Sequence, residues 1–152
     1  MNKRFFFNLL LVLSLSSAGV MAQNNNHVGE WKLASQKVTL ADGRIFQGDS
    51  TNIMQRKILT SQNQVVVIGE RMIDGERLAS SVHGGYYTLK GKDYTEKLDY
   101  AAYKGYEKIK CNFEVTVKGD EMHQVGILEG ADGVKTTYDE IYVRVKPPTA
   151  SK

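Results

Sequence analysis

The sequence predicts an all-β fold: an antiparallel meander of about eight to ten strands, closed into a barrel. Three observations carry this. From residue 28 onward apolar and polar residues alternate with a period of two, and turn-forming residues recur roughly every 8 to 15 positions. No run long enough for a helix shows a helical period. Without crossover helices, successive strands are antiparallel neighbours. A meander leaves two unpaired edges, and closure removes both. A two-sheet sandwich is the rival arrangement.

The chain opens on three zones. Lys3 and Arg4 are followed by an almost unbroken apolar run over residues 5–15, and residues 16–22 turn small and polar. This is the layout of a secretory signal peptide, with Ala22 before the cut, so cleavage is expected before Gln23. The alternative is a buried N-terminal helix. The run falls short of the roughly 20 residues of a membrane span, and no later stretch approaches that length. Gln at position 23, where a lipid anchor would need Cys, leaves an exported product, periplasmic or secreted. The expected division is a signal peptide over 1–22, a disordered Asn-rich lead-in over 23–27, one barrel domain over 28–146 and a tail over 147–152.

Within the domain, residues 31–40 form the first strand, which a turn at Asp42-Gly43 closes. Residues 56–60 and 64–70 flank Ser61-Gln62-Asn63 as a hairpin. Strands 83–90 and 93–101 join at Gly91-Lys92, and 108–118 and 121–129 join at Gly119-Asp120. The last strand, 137–145, stops at Pro147-Pro148, because proline cannot donate to a ladder. Residues 49–56 hold a short helical turn.

Charge and cysteine usage narrow the function. The formal net charge is +3, and loss of Lys3 and Arg4 leaves about +1, which is no footprint for nucleic acid. The one basic candidate, "YKGYEKIK", sets Lys104, Lys108 and Lys110 around Tyr103 and Tyr106 and reads as a solvated loop. Cys111 is the only cysteine, so no internal disulfide forms. It alternates with Phe113, Val115 and Val117, as a small buried hydrophobe does.

The stretch "GEWKLAS", with Gly29-x-Trp31, and a late Arg144 resemble the lipocalins. With "KILT", "GGYYTLKGKDYTEKL", "VKGDEMH" and "EIYVRV", residues 28–145 resemble more closely the small exported lipocalin-like, calycin-type domains of bacteria. The resemblance implies an eight- to ten-stranded lipocalin-like barrel in which Trp31 plugs the closed end and Arg144 packs over it. Related chains often carry a second Trp in the last strand, where this one has Tyr142, and the longer secondary motifs are absent. No typical lipocalin ligand is therefore implied. A large aromatic at a barrel end also makes sense physically, since a guanidinium over its face adds roughly 0.5–2 kcal/mol.

Alternation then points to an interior. In "DYTEKLDY" the set Asp93, Thr95, Lys97, Asp99 is wholly polar, so Tyr94, Glu96, Leu98 and Tyr100 face inward. An inward carboxylate is costly unless paired. On the last strand pattern leaves both faces open, and the resemblance favours Tyr142 and Arg144 inside. A pocket lined by Tyr94, Glu96, Leu98, Phe113, Val115 and Tyr142 suits a small amphipathic, partly apolar ligand with no cofactor. Two alternatives compete. Side chains can fill an eight-stranded barrel completely, leaving a structural or protein-interaction module. Less favoured is a barrel enzyme using Glu96 and a tyrosine as acid and base, which calls for a raised Glu96 pKa.

No catalytic residue is expected. "GDS" at 48–50 with Asp120-x-x-His123 mimics blocks of a hydrolase family whose strand–helix scaffold is missing, and "HGGYY" has no nucleophile motif to serve. His27, His83 and His123 share no metal-ligand spacing, so no metal is expected.

Overall fold

Gly29–Thr39 forms β1, and its inward face changes parity half-way along. The structure, a computed structural model, describes residues 25–147; the expected leader, its cut before Gln23 and residues 148–152 lie outside them. The other strands are β2 (Ile45–Asp49), β3 (Met54–Leu59), β4 (Gln64–Ile73), β5 (Glu76–Lys90), β6 (Asp93–Ala101), β7 (Lys110–Lys118), β8 (Glu121–Glu129) and β9 (Lys135–Arg144). All pairings are antiparallel. β1 and β3 to β9 follow one another around the sheet, and β9 returns to β1, so eight strands close a lipocalin-like barrel. The all-β barrel expected from alternation is the fold that forms.

The ninth strand, β2, was not expected. It pairs with Ser35–Thr39 on the edge of β1 where β3 pairs with Gly29–Lys32. The two are one strand interrupted by a turn, where the Ile53 N–H donates to the Asp49 carbonyl at 2.8 Å. The helical turn expected at 49–56 shrinks to this single turn. The tip of the β4–β5 hairpin also outruns its neighbours, because β3 pairs no further than Glu70 and β6 no further than His83. It projects as a two-stranded ribbon with Met72, Ile73 and Leu78 exposed.

Two bulges decide which side chains enter the barrel. The β1–β9 register skips Ala34, so Trp31 and Leu33 face inward below the bulge while Gln36 and Val38 line the interior above it. The β5–β6 register skips Asp99. That skip corrects one expectation: Tyr100 turns outward and is 48% exposed. Gly85 lets the strands approach here, since a Cβ on it would lie 2.1 Å from the Lys97 carbonyl oxygen.

The lower end is packed. Trp31, Leu33, Leu59, Val65, Val115 and Met122 are buried in one cluster. The Trp31 indole N–H donates to the His27 carbonyl at 2.8 Å, and the Arg144 guanidinium carbon lies 4.1 Å from the Trp31 ring centre. Arg144 also donates to the Val28 carbonyl at 2.8 Å and to that of Asn26. Gly29 is required beside it: its φ is +140°, and a Cβ would meet Arg144 Nη1 at 2.6 Å. Gly-x-Trp is thus a glycine making room for an arginine that covers the tryptophan. His27 departs from the disordered lead-in assigned to it. It sits in a 3-10 turn, Asn25–His27, with its ring buried and Nε2 3.0 Å from the Tyr87 hydroxyl.

Candidate binding cavity

Above that plug the inward positions carry smaller or polar side chains, and a cavity of about 270 Å³ opens. Val38, Val67, Phe113 and Leu128 supply its apolar wall. The rest is polar. Gln36 comes from β1, Gln55 and Lys57 from β3, His83 from β5, Glu96 from β6, Gln124 from β8, and Tyr138, Glu140 and Tyr142 from β9. Tyr106, in a 3-10 turn over residues 106–108, closes one side and packs its ring 4.9 Å from that of His83. It is therefore part of the wall, not of the solvated loop that its lysine-rich surroundings suggested.

A hydrogen-bonded network runs through this wall. The Lys57 ammonium lies 2.9 Å from a Glu96 oxygen, with both side chains about 3% exposed. It donates to Gln124 Oε1 at 2.6 Å, and Gln124 Nε2 donates to Glu140 at 2.8 Å. Glu140 also accepts from Tyr142 at 3.0 Å and from Gln36 at 2.6 Å. Gln55 donates to the Tyr142 hydroxyl at 2.7 Å, and Tyr94 donates to Glu96 at 2.8 Å. The Lys57 ammonium further sits 4.8 Å from the Tyr94 ring centre, a cation–π contact in a desolvated site.

One ammonium thus serves two buried carboxyls, and they respond in opposite directions. Burial pushes Glu96 up, but the Lys57 charge and hydrogen bond and the Tyr94 hydroxyl together hold it below the usual carboxylate value. Burial of Glu140 wins: Lys57, which reaches it only through Gln124, and the bonds from Tyr142 and Gln36 leave it raised. Tyr94 and Tyr142 are driven well up by burial and then by the neighbouring carboxylates. Burial lowers His83 more than Glu96 restores it, so its imidazole is neutral at pH 7. The Cys111 thiol, beside Glu96, is pushed up to about 12, chiefly by burial, and is no nucleophile.

The sequence-derived residues divide. Glu96, Phe113 and Tyr142 line the cavity, whereas Tyr94, Leu98 and Val115 are buried behind it or below it. Lys57, Gln124, Gln36 and Gln55 were missed, and so was Glu140. For Glu140 a signal existed: it shares its strand face with Tyr142 and Arg144. His83 lines the cavity, while His123 lies on the outside, 2.8 Å from Asp139, so the two do not meet.

The hydrolase mimic falls apart in space. Ser50 is exposed in the β2–β3 turn. Its neighbour Asp49 stands in a cross-strand row with Ser35, Ile141 and His123, three strand spacings or about 14 Å from the imidazole's strand. Ser50→Ala is accordingly expected to leave p-nitrophenyl acetate hydrolysis at the wild-type background. A turnover well above background that disappears in the variant would overturn this.

No protein-family model matches the chain, and no curated protein matches it. Among solved structures it is similar to a deswapped triple mutant of bovine odorant-binding protein, at 13% identity and a TM-score of 0.48, over 82% of this chain and 78% of that one. It is similar to aphrodisin, a sex pheromone from female hamster, at 12% identity and a TM-score of 0.45, over 80% and 77%. An S-type phycobiliprotein lyase from Guillardia theta is similar at 10% identity and a TM-score of 0.48, over 81% and 90%.

Proposed function

We propose that the protein is an exported, non-enzymatic binding protein whose barrel takes a small, partly apolar molecule. The cavity is the observation that supports this best. An eight-stranded barrel is small enough for side chains to fill, and the lower half is filled by Trp31, Leu33, Leu59 and Met122. The upper half carries Val38, Val67 and Cys111 instead, and stays hollow over about 270 Å³. Phe113 and Leu128 give an occupant an apolar wall, and Glu96, Glu140 and Tyr142 give it polar anchors, with the Tyr94 hydroxyl holding Glu96 from behind. Trp31 and Arg144 close the opposite end. The acid–base reading centred on Glu96 loses its motive, because Glu96 is held below the usual carboxylate value, opposite to what a general acid needs near pH 7. The exposed Met72, Ile73 and Leu78 of the projecting ribbon favour a protein partner as a second reading, compatible with the first.

Native mass spectrometry of the protein from its own host tests both halves. The expected mass begins at Gln23 and includes a small adduct that leaves on activation. An uncleaved or lipid-modified chain would overturn export. A protein that neither carries nor takes up any small molecule would overturn binding.

A further inference from the structure

The hydrogen-bond directions in the cavity wall are fixed from both ends of the network. Lys57 can only donate, so Gln124 must turn its carbonyl to it and its amide nitrogen to Glu140. Tyr142 spends its proton on Glu140, so Gln55 must donate its amide nitrogen to the Tyr142 oxygen. Gln36 likewise spends its nitrogen on Glu140. Gln36 and Gln55 each keep a carbonyl oxygen that accepts and, on the same amide nitrogen, a second hydrogen that donates. Charge is the unbalanced quantity. Lys57 contacts Glu96 directly, whereas Glu140, buried and held by two amides and a hydroxyl, contacts no cation among the described residues. Two carboxyls and one ammonium leave the wall short of positive charge.

We infer that the occupant is a small organic cation, a protonated amine on a compact apolar body. Its ammonium sits among Glu140, Gln36 and Gln55, and its apolar part lies against Phe113 and Leu128. This rests on the cavity being a binding site. The volume sets the size, since about 270 Å³ equals roughly nine water-sized groups and falls just below the usual range for drug-sized ligands. An ammonium ion can donate to the two amide carbonyls and supplies the counter-charge that Glu140 lacks. A carboxylate ligand would add a third negative charge to the same space.

Three probes of closely similar shape separate the cases by calorimetry: 2-phenylethylamine, 2-phenylethanol and phenylacetate. The amine is expected to bind at least tenfold more tightly than the alcohol, and phenylacetate least of all. Glu140→Gln keeps the shape and removes the charge. It is expected to weaken the amine at least tenfold and the alcohol by no more than about threefold. Gln36→Lys is the second variant. It installs an ammonium beside Glu140, and is expected to exclude the amine while the thermal midpoint holds or rises. If the alcohol or the acid matches the amine, or if amine affinity survives in either folded variant, the cation is overturned and the binding cavity stands. If none of the three saturates, the cavity itself fails as a binding site and the cation fails with it.

Discussion

Trp31→Ala is expected to remove about 3–5 kcal/mol of stability, the range for truncating large aromatics in a core. The side chain has no exposed surface, and its indole N–H holds the carbonyl of His27. Truncation therefore opens a void at the base of the barrel and frees the Asn25–His27 turn. Arg144→Leu should cost less. It keeps some packing over the indole and gives up the bonds to Val28 and Asn26 and the 3.6 Å approach to Asp120. Because the guanidinium stands 4.1 Å from the ring centre, the two losses should couple by roughly 0.5–3 kcal/mol. Urea midpoints of the two single variants and the double variant read this directly. Strict additivity would mean that the arginine covers the indole without stabilising it. Gly29→Ala is the companion change, since its Cβ would displace that guanidinium.

The barrel was legible wherever one strand face was wholly polar or wholly apolar. β6 and β7 meet that condition, so Tyr94, Glu96, Leu98, Phe113 and Val115 could be set inside from spacing alone. β3 violates it: Gln55 and Lys57 face inward, while Met54 and Ile58 occupy the other face. A chain that fills a barrel's interior with a charged network has moved its polar residues to the side where alternation looks for apolar ones. Lys57, the centre of that network, therefore carried no signal. A bulge erased one more signal, and surface exposure another. The skip at Asp99 turned Tyr100 outward after a faithful alternation up to Leu98, and β2 was hidden because Ile45 and Phe46 are both exposed at the end of a short strand. His27 was lost differently. Its polar neighbours masked a ring that docks on Tyr87, 60 residues away in sequence.

Lys57→Met is expected to cost about 3–5 kcal/mol at pH 7, because it strands a buried carboxylate at Glu96 and removes the nearest positive charge from Glu140. The pH dependence identifies the cause. In the wild type, Glu96 is held below its unfolded value of about 4.3, so its contribution is present above that pH and disappears as pH falls through the folded value. Without Lys57 only burial and neutral donors act on Glu96, and burial raises it. The sign reverses: stability is then greatest below about 4.3 and is lost as pH rises through the raised folded value. Glu140, already raised by burial, moves the same way. The deficit of Lys57→Met should therefore be widest near neutrality and shrink toward acid. Glu96→Gln added to Lys57→Met should recover most of the loss at pH 7, since it removes the stranded charge and keeps a side chain that can bond Tyr94. Denaturation midpoints of wild type, Lys57→Met and the double variant at pH 7 and pH 5 decide between two origins of the effect. A deficit that is the same at both pH values and survives the added Glu96→Gln would place the role of Lys57 in packing against Tyr94, Phe113 and Tyr142, not in charge balance.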